Sequence, residues 1–236
     1  NCILLIILSF LGATNLVAKS FTQILCQMEG ENLPRQVSLV TADCGQPINY
    51  AVTTVSPSGT CGFITEPLPR QQFFYLYDGS RYFRIFLHAG NTIKVGWCSG
   101  KFSFVVPGNP ENEVLQRWNC IESRLPQGKT QNYASFFAVF DSVRREADVL
   151  ISQLQKTNNS FAAQFKSIIQ TDLFYRFVTY ISKNQQMYDS DEQKSAYFQM
   201  IMPRFPETTD RLLLQPYGIA LMKAYFDYKQ TYIYRQ

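Results

Sequence analysis

The spacing of apolar residues changes once along this chain of 236 residues, and that single change constrains the fold more than any other feature. Between residues 21 and 106 the spacing is two. Val37 and Leu39 alternate with Gln36 and Ser38, while Phe83, Ile85 and Leu87 alternate with Tyr82, Arg84 and Phe86. Ile93, Val95 and Trp97 alternate with Thr92, Lys94 and Gly96, and Phe102, Phe104 and Val106 with Lys101, Ser103 and Val105. Side chains alternate across a strand, so each run predicts a strand that buries one face. Turn signals divide the runs: Cys44-Gly45-Gln46-Pro47, Ser56-Pro57-Ser58-Gly59, Asp78-Gly79-Ser80 and Gly90-Asn91. Seven or eight short strands at this spacing predict an antiparallel β-sandwich or a partly open barrel.

At Pro107-Gly108-Asn109-Pro110 the spacing becomes helical, with Asn109 placed to cap a helix whose first residue is Pro110. A helix is predicted over 133–156 from Phe136, Phe140, Val143, Ala147, Leu150 and Leu154, and another after Asn159-Ser160 from Phe161, Phe165, Ile168 and Ile169. Two more are predicted over 191–201 and 216–234, the last with the stripe Leu221, Tyr225, Tyr228 and Tyr232. The class is therefore α+β, with a β-sandwich over 21–107 followed by an all-α helical domain over 108–236.

Residues 2–18 form an uncharged apolar run broken by Ser9, Gly12, Thr14 and Asn15, shorter than a membrane span needs. It reads as the h-region of a secretory signal peptide over 1–20, cut after Ala18 or Ser20, which leaves an exported chain with no stable membrane span. Export permits disulfides. Removing Cys2 leaves Cys26, Cys44, Cys61, Cys98 and Cys120, an odd number with no C-x-x-C. Cys26 shares an apolar strand face with Ile24 and Met28 and is expected to be buried. Cys44 and Cys61 lie near turns and are the pair nominated for a disulfide; the remaining connectivity stays open.

Composition narrows the function by exclusion. Twenty-two basic and 18 acidic residues give a net charge of +4 with no basic stripe, so nucleic acid is not an expected partner. One histidine, His88, excludes a multi-His zinc site, and its place at a strand end before Ala89-Gly90-Asn91 suits a turn cap better than catalysis. No G-x-S-x-G elbow, phosphate-binding glycine loop or zinc knuckle occurs, so neither a catalytic residue nor a cofactor is implied. Asp189, Asp191 and Glu192 read as a helix start. Aromatics crowd two neighbouring strands, and most of them must fill the core. The outward remainder, Tyr75, Tyr77 and Tyr82, is expected to form a recognition surface for a glycan or peptide, joined by Tyr228 and Tyr232 on the last helix.

The order of these features, with Gly90-Asn91-Thr92-Ile93-Lys94-Val95, Gly100-Lys101-Phe102-Ser103-Phe104 and Gly108-Asn109-Pro110-Glu111-Asn112-Glu113-Val114-Leu115, resembles the N-terminal region of TlpA-like thiol:disulfide interchange proteins of the Gram-negative envelope. In that family a β-rich domain of unknown function, often followed by helices, precedes a thioredoxin-like module with a W-C-x-x-C site. The resemblance covers residues 20–125 in pattern and the rest in architecture only. It implies a non-catalytic accessory or scaffold role in the periplasm or cell envelope, with a thioredoxin-like module, downstream or in trans, as partner. No C-x-x-C is present here, so no catalytic residue carries over.

Overall fold

The computed structural model describes residues 21–30, 33–68, 70–98, 101–126, 133–154, 159–183 and 212–233. The expected leader, the helix expected over 191–201, the Asp189 group and the side chains of Tyr228 and Tyr232 lie outside the described residues. Eight strands come first: β1 (Thr22–Glu29), β2 (Gln36–Asp43), β3 (Gln46–Thr54), β4 (Thr60–Thr65), β5 (Gln72–Tyr77), β6 (Tyr82–Leu87), β7 (Thr92–Cys98) and β8 (Lys101–Val106). The described helices follow: α1 (Pro110–Glu122), α2 (Tyr133–Leu154), α3 (Asn159–Lys183) and α4 (Gly218–Ile233).

The strands form two four-stranded sheets, ordered β4-β1-β7-β8 and β3-β2-β5-β6. All pairings are antiparallel except β1 with β7. Ile24, Cys26 and Met28 of β1 face Leu39, Phe74, Leu76, Ile85 and Leu87 of the other sheet, and together they form the sandwich core. Apolar burial of this kind is the main favourable term in folding. Trp97 and Phe83 meet edge to face at 4.9 Å, and Phe83 stacks on Phe102 at 4.8 Å, closing the interior towards β8.

The two sheets behave differently on their outer faces. β1 buries every second residue and shows the others to solvent, as its sequence predicts. β6 does not: Arg84, Ile85, Phe86 and Leu87 are all buried. Ile85 and Leu87 enter the sandwich, whereas Phe86 joins Trp118, Phe136, Phe161 and Phe165 in a second core built mainly from the helices. The helical half therefore covers the outer face of β5 and β6, and the boundary near residue 107 is a packed junction.

Helix α1 forms that junction. Asn109 caps it by accepting the Asn112 amide at 2.8 Å, with Pro110 in the first turn, as the sequence predicts. Asn112 is fully buried. Its Oδ1 accepts the Phe86 N–H at 2.8 Å, and its Nδ2 donates to the Phe86 carbonyl at 3.0 Å and to the Pro107 carbonyl at 2.8 Å. β6 is a sheet edge, so this side-chain amide supplies the hydrogen bonds that a ninth strand would otherwise make. Gln116, one turn on, accepts the Phe104 N–H of edge strand β8 at 3.0 Å. α1 thus bridges the two open edges, and the sheets remain a sandwich without closing into a barrel.

The β2–β3 hairpin also meets the helices. Cys44 and Gly45 both adopt positive φ, 49° and 76°, the backbone of a tight two-residue turn. Gly45 N–H donates to Leu213 O at 2.6 Å, and its carbonyl accepts Ile219 N–H at 3.1 Å. A Cβ on Gly218 would lie 2.1 Å from Leu212 O and 3.0 Å from Gly45 Cα, so this approach requires glycine.

Candidate functional site

Among the described residues, the densest polar constellation lies between β5–β6 and the helices. Arg84 projects from β6 towards α3, where Asp172 receives it: Nη1 donates to Oδ2 and Nη2 to Oδ1, each at 3.1 Å. Both residues are buried. This is a two-pronged guanidinium–carboxylate pair, the geometry that best offsets the cost of desolvating both charges. Trp118 of α1 donates its indole N–H to Asp172 Oδ2 at 2.8 Å. Tyr217, just before α4, donates its hydroxyl to Asp172 Oδ1. Nη2 of Arg84 also reaches Tyr217 OH at 3.2 Å and Gln215 Oε1 at 3.3 Å. Tyr75 of β5 donates to the same Gln215 oxygen at 2.8 Å, and Arg84 Cζ lies 5.7 Å from the Tyr75 ring centroid. Residues from β6, α1 and the segment leading to α4 therefore meet at one carboxylate on α3, and β5 joins the network through Gln215.

A second pair sits alongside: Arg176 Nε donates to Glu122 Oε1 at 2.8 Å, with both side chains about one quarter exposed or less. Two cations and two anions thus alternate. Burial alone would lower the Arg84 pKa, but Asp172 first, then Tyr217 and Tyr75, override it and hold the guanidinium well above its usual value. Burial and the nearby Asp172 charge raise the Tyr217 phenol well above its usual range, and burial raises Tyr75. The Glu122 carboxyl is pushed up by burial and by Asp172, while Arg176 pulls it back. Arg84 stays charged and the two phenols stay protonated across neutral pH. The arrangement fastens the helices to the sheet; it offers no arginine or tyrosine poised to exchange a proton.

The residues singled out in the sequence fall into three groups. Tyr75 is 2% exposed and lies inside the network, so it is withdrawn from the expected recognition surface. The cause is the helical half packing over a sheet face that the sequence pattern leaves open. Tyr77 and Tyr82 remain partly exposed and stack on each other at 4.5 Å, with Tyr77 OH donating to Gly79 O at 2.7 Å. His88 directly follows β6, with its Nε2 3.4 Å from Glu111, and its carbonyl accepts Thr22 Oγ1 at 2.7 Å. Cys44 and Cys61 are both free thiols, Cys44 in the hairpin turn of one sheet and Cys61 on β4 of the other. Cys61 stands opposite Cys26.

Sequence reasoning missed Arg84, Trp118, Asp172, Gln215 and Tyr217. The available signal was Arg84 itself, a cation within the apolar strand Tyr82–Leu87, because such a charge is buried only with a partner. Among the described residues no group of three or more His, Cys, Asp or Glu side chains could hold a metal ion. No described helix is long and apolar enough to cross a membrane. No protein-family model, curated protein or solved structure matches the chain.

Proposed function

We propose that this chain is a non-catalytic scaffold that positions a partner protein, the accessory role implied by its resemblance to the N-terminal region of exported TlpA-like thiol:disulfide oxidoreductases. The observation that supports this reading is the Arg84–Asp172 clamp. Its polar groups bond one another across five chain segments, which makes a stiff body of the sheet and helices. The outer face of sheet β4-β1-β7-β8 is, by contrast, left uncovered among the described residues. Leu25 lies over Gly62, close to Ile64, which is 71% exposed, and Val105 on β8 is 65% exposed. Solvent-exposed apolar side chains on a rigid face suit protein contact. The partner in this reading is a thioredoxin-like module, downstream or in trans, in the periplasm or cell envelope.

Calorimetric titration of the chain with a TlpA-type thioredoxin-like module tests this. The expected result is saturable binding that weakens at least about tenfold, or ~1.4 kcal/mol, in Ile64→Lys. Absence of binding by the unaltered chain would overturn the proposal. So would multiple-turnover reduction of insulin by the chain with dithiothreitol as reductant, because a scaffold contributes no catalytic cycle. A second reading, a glycan- or peptide-binding module, is favoured by the partly exposed Tyr77–Tyr82 stack. It predicts affinity on a glycan or peptide array that disappears in Tyr77→Ala, and a blank array removes it.

A further inference from the structure

From their register and burial, we propose that Cys26 and Cys61 form a redox-responsive pair that closes to a disulfide between β1 and β4. The two residues are direct cross-strand partners in an antiparallel ladder. Met28 N–H donates to the Gly59 carbonyl at 2.8 Å. Hydrogen-bonded positions recur every second residue, which places Cys26 and Cys61 at such a position with Cα atoms ~5.5 Å apart. That separation lies within the range disulfides span, and both side chains point to the same face of the sheet. Cys26 is 4% exposed in the sandwich core, and Cys61 is half-buried against the same core.

The two thiols are not equivalent. The neighbouring Cys61 thiol, and then burial, raise Cys26, whereas the Cys26 thiol lowers Cys61 against the opposing pull of its own partial burial. Cys61, half-buried where Cys26 is only 4% exposed, is the sulfur a soluble disulfide can reach, and is therefore the attacking group with Cys26 the resolving one. The oxidant is a small-molecule disulfide such as oxidised glutathione. The Cys61 thiolate attacks one of its sulfurs, the S–S bond breaks, and one glutathione thiolate leaves with a mixed disulfide formed at Cys61. Cys26 then attacks Cys61 Sγ, giving up its proton as its sulfur forms the new bond, and expels the second glutathione. Two protein thiols become one disulfide, one glutathione disulfide becomes two thiols, and the two protons pass to the released glutathione. β4 is an edge strand, held on one side by β1, and the new bond ties it there covalently.

Cleavage by trypsin provides a direct test, because Lys19, Arg35 and Arg70 bound one peptide over 20–35 carrying Cys26 and another over 36–70 carrying Cys44 and Cys61. The full chain is equilibrated with oxidised glutathione, quenched by alkylation and digested without reductant. The expected product is the two peptides joined, lighter than their sum by two hydrogens, retained in Cys44→Ser and lost in Cys61→Ser. Oxidation should also raise the Tm by roughly 5–15 °C, as expected for closing a loop of this length. An internally linked 36–70 peptide, a link lost in Cys44→Ser, or full alkylation of Cys26 and Cys61 after oxidation would each overturn the proposal. The alkylation readout needs no variant, so a misfolded Cys61→Ser chain does not obscure the result.

Discussion

Asp172→Asn removes one charge with almost no change of shape, and the structure sets its cost. The Arg84 guanidinium is 8% exposed, and its two-pronged bond to Asp172 supplies its compensating charge. Stripping the partner from a buried ion typically costs about 3–5 kcal/mol. The amide oxygen of Asn can still accept one of the bonds now shared by Trp118, Tyr217 and Arg84, which favours the lower half of that range. Against a typical stability of about 5–15 kcal/mol this is large but survivable. The assay is urea denaturation followed by tryptophan fluorescence, reading the midpoint at constant slope. A cycle adds the interaction itself: Arg84→Met combined with Asp172→Asn should cost less than the two single losses added together, by about 1.5 kcal/mol or more. Glu146→Gln is the control, because its bond to Arg124 at 2.7 Å is closer but about half exposed, and screening holds such pairs to less than about 1 kcal/mol. A loss below about 1 kcal/mol in Asp172→Asn, or simple additivity in the cycle, would refute the view that this pair carries the junction.

Three further outcomes follow from the same geometry. Asn112→Ala should cost about 2–4 kcal/mol in the same denaturation assay, because it orphans the buried Phe86 N–H and removes two further bonds, while Asn112→Asp, which keeps that acceptor but sets a buried carboxylate oxygen against the Phe86 and Pro107 carbonyls, should lose at least as much. Gly218→Ala should cost at least about 1–3 kcal/mol of stability, since a Cβ there meets Leu212 O at 2.1 Å. The pH dependence of Tm should reveal Glu122. Its folded pKa is raised, so the folded state holds the proton more tightly; the stability this adds is present below the unfolded value and is lost as pH rises to the folded one. Glu122→Gln should lack that fall, and an unchanged pH profile would remove Glu122 as its source.

How much was legible in the sequence follows from which surfaces meet water. β1 and β7 face solvent on one side, so their alternation can be read directly, and the Asn109-Pro110 cap marks the helical half to the residue. β5 and β6 are apolar on both faces because helices cover them, and a period-two reading assigns Tyr75 to solvent by default. Arg84 flags the error, yet its partner lies 88 residues away, where Asp172 is one of many acidic residues that could serve. Cys26 and Cys61 were obscure for a related reason. Each is readable alone, as a buried strand thiol and as a residue near a turn, but their juxtaposition depends on β4 pairing with β1, which no local pattern specifies.

Sandwich and helices form one cooperative body joined through Arg84, Asp172 and α1. Native-state hydrogen exchange under mildly denaturing urea tests it most directly, by comparing the slowest amides of β1, around Ile24 and Cys26, with those of α3, around Phe165 and Ile169. Both sets should exchange with the same free energy of opening and fall together in Asp172→Asn. Helical amides that open at markedly lower free energy than those of β1, with the β1 values unaffected by the substitution, would contradict it.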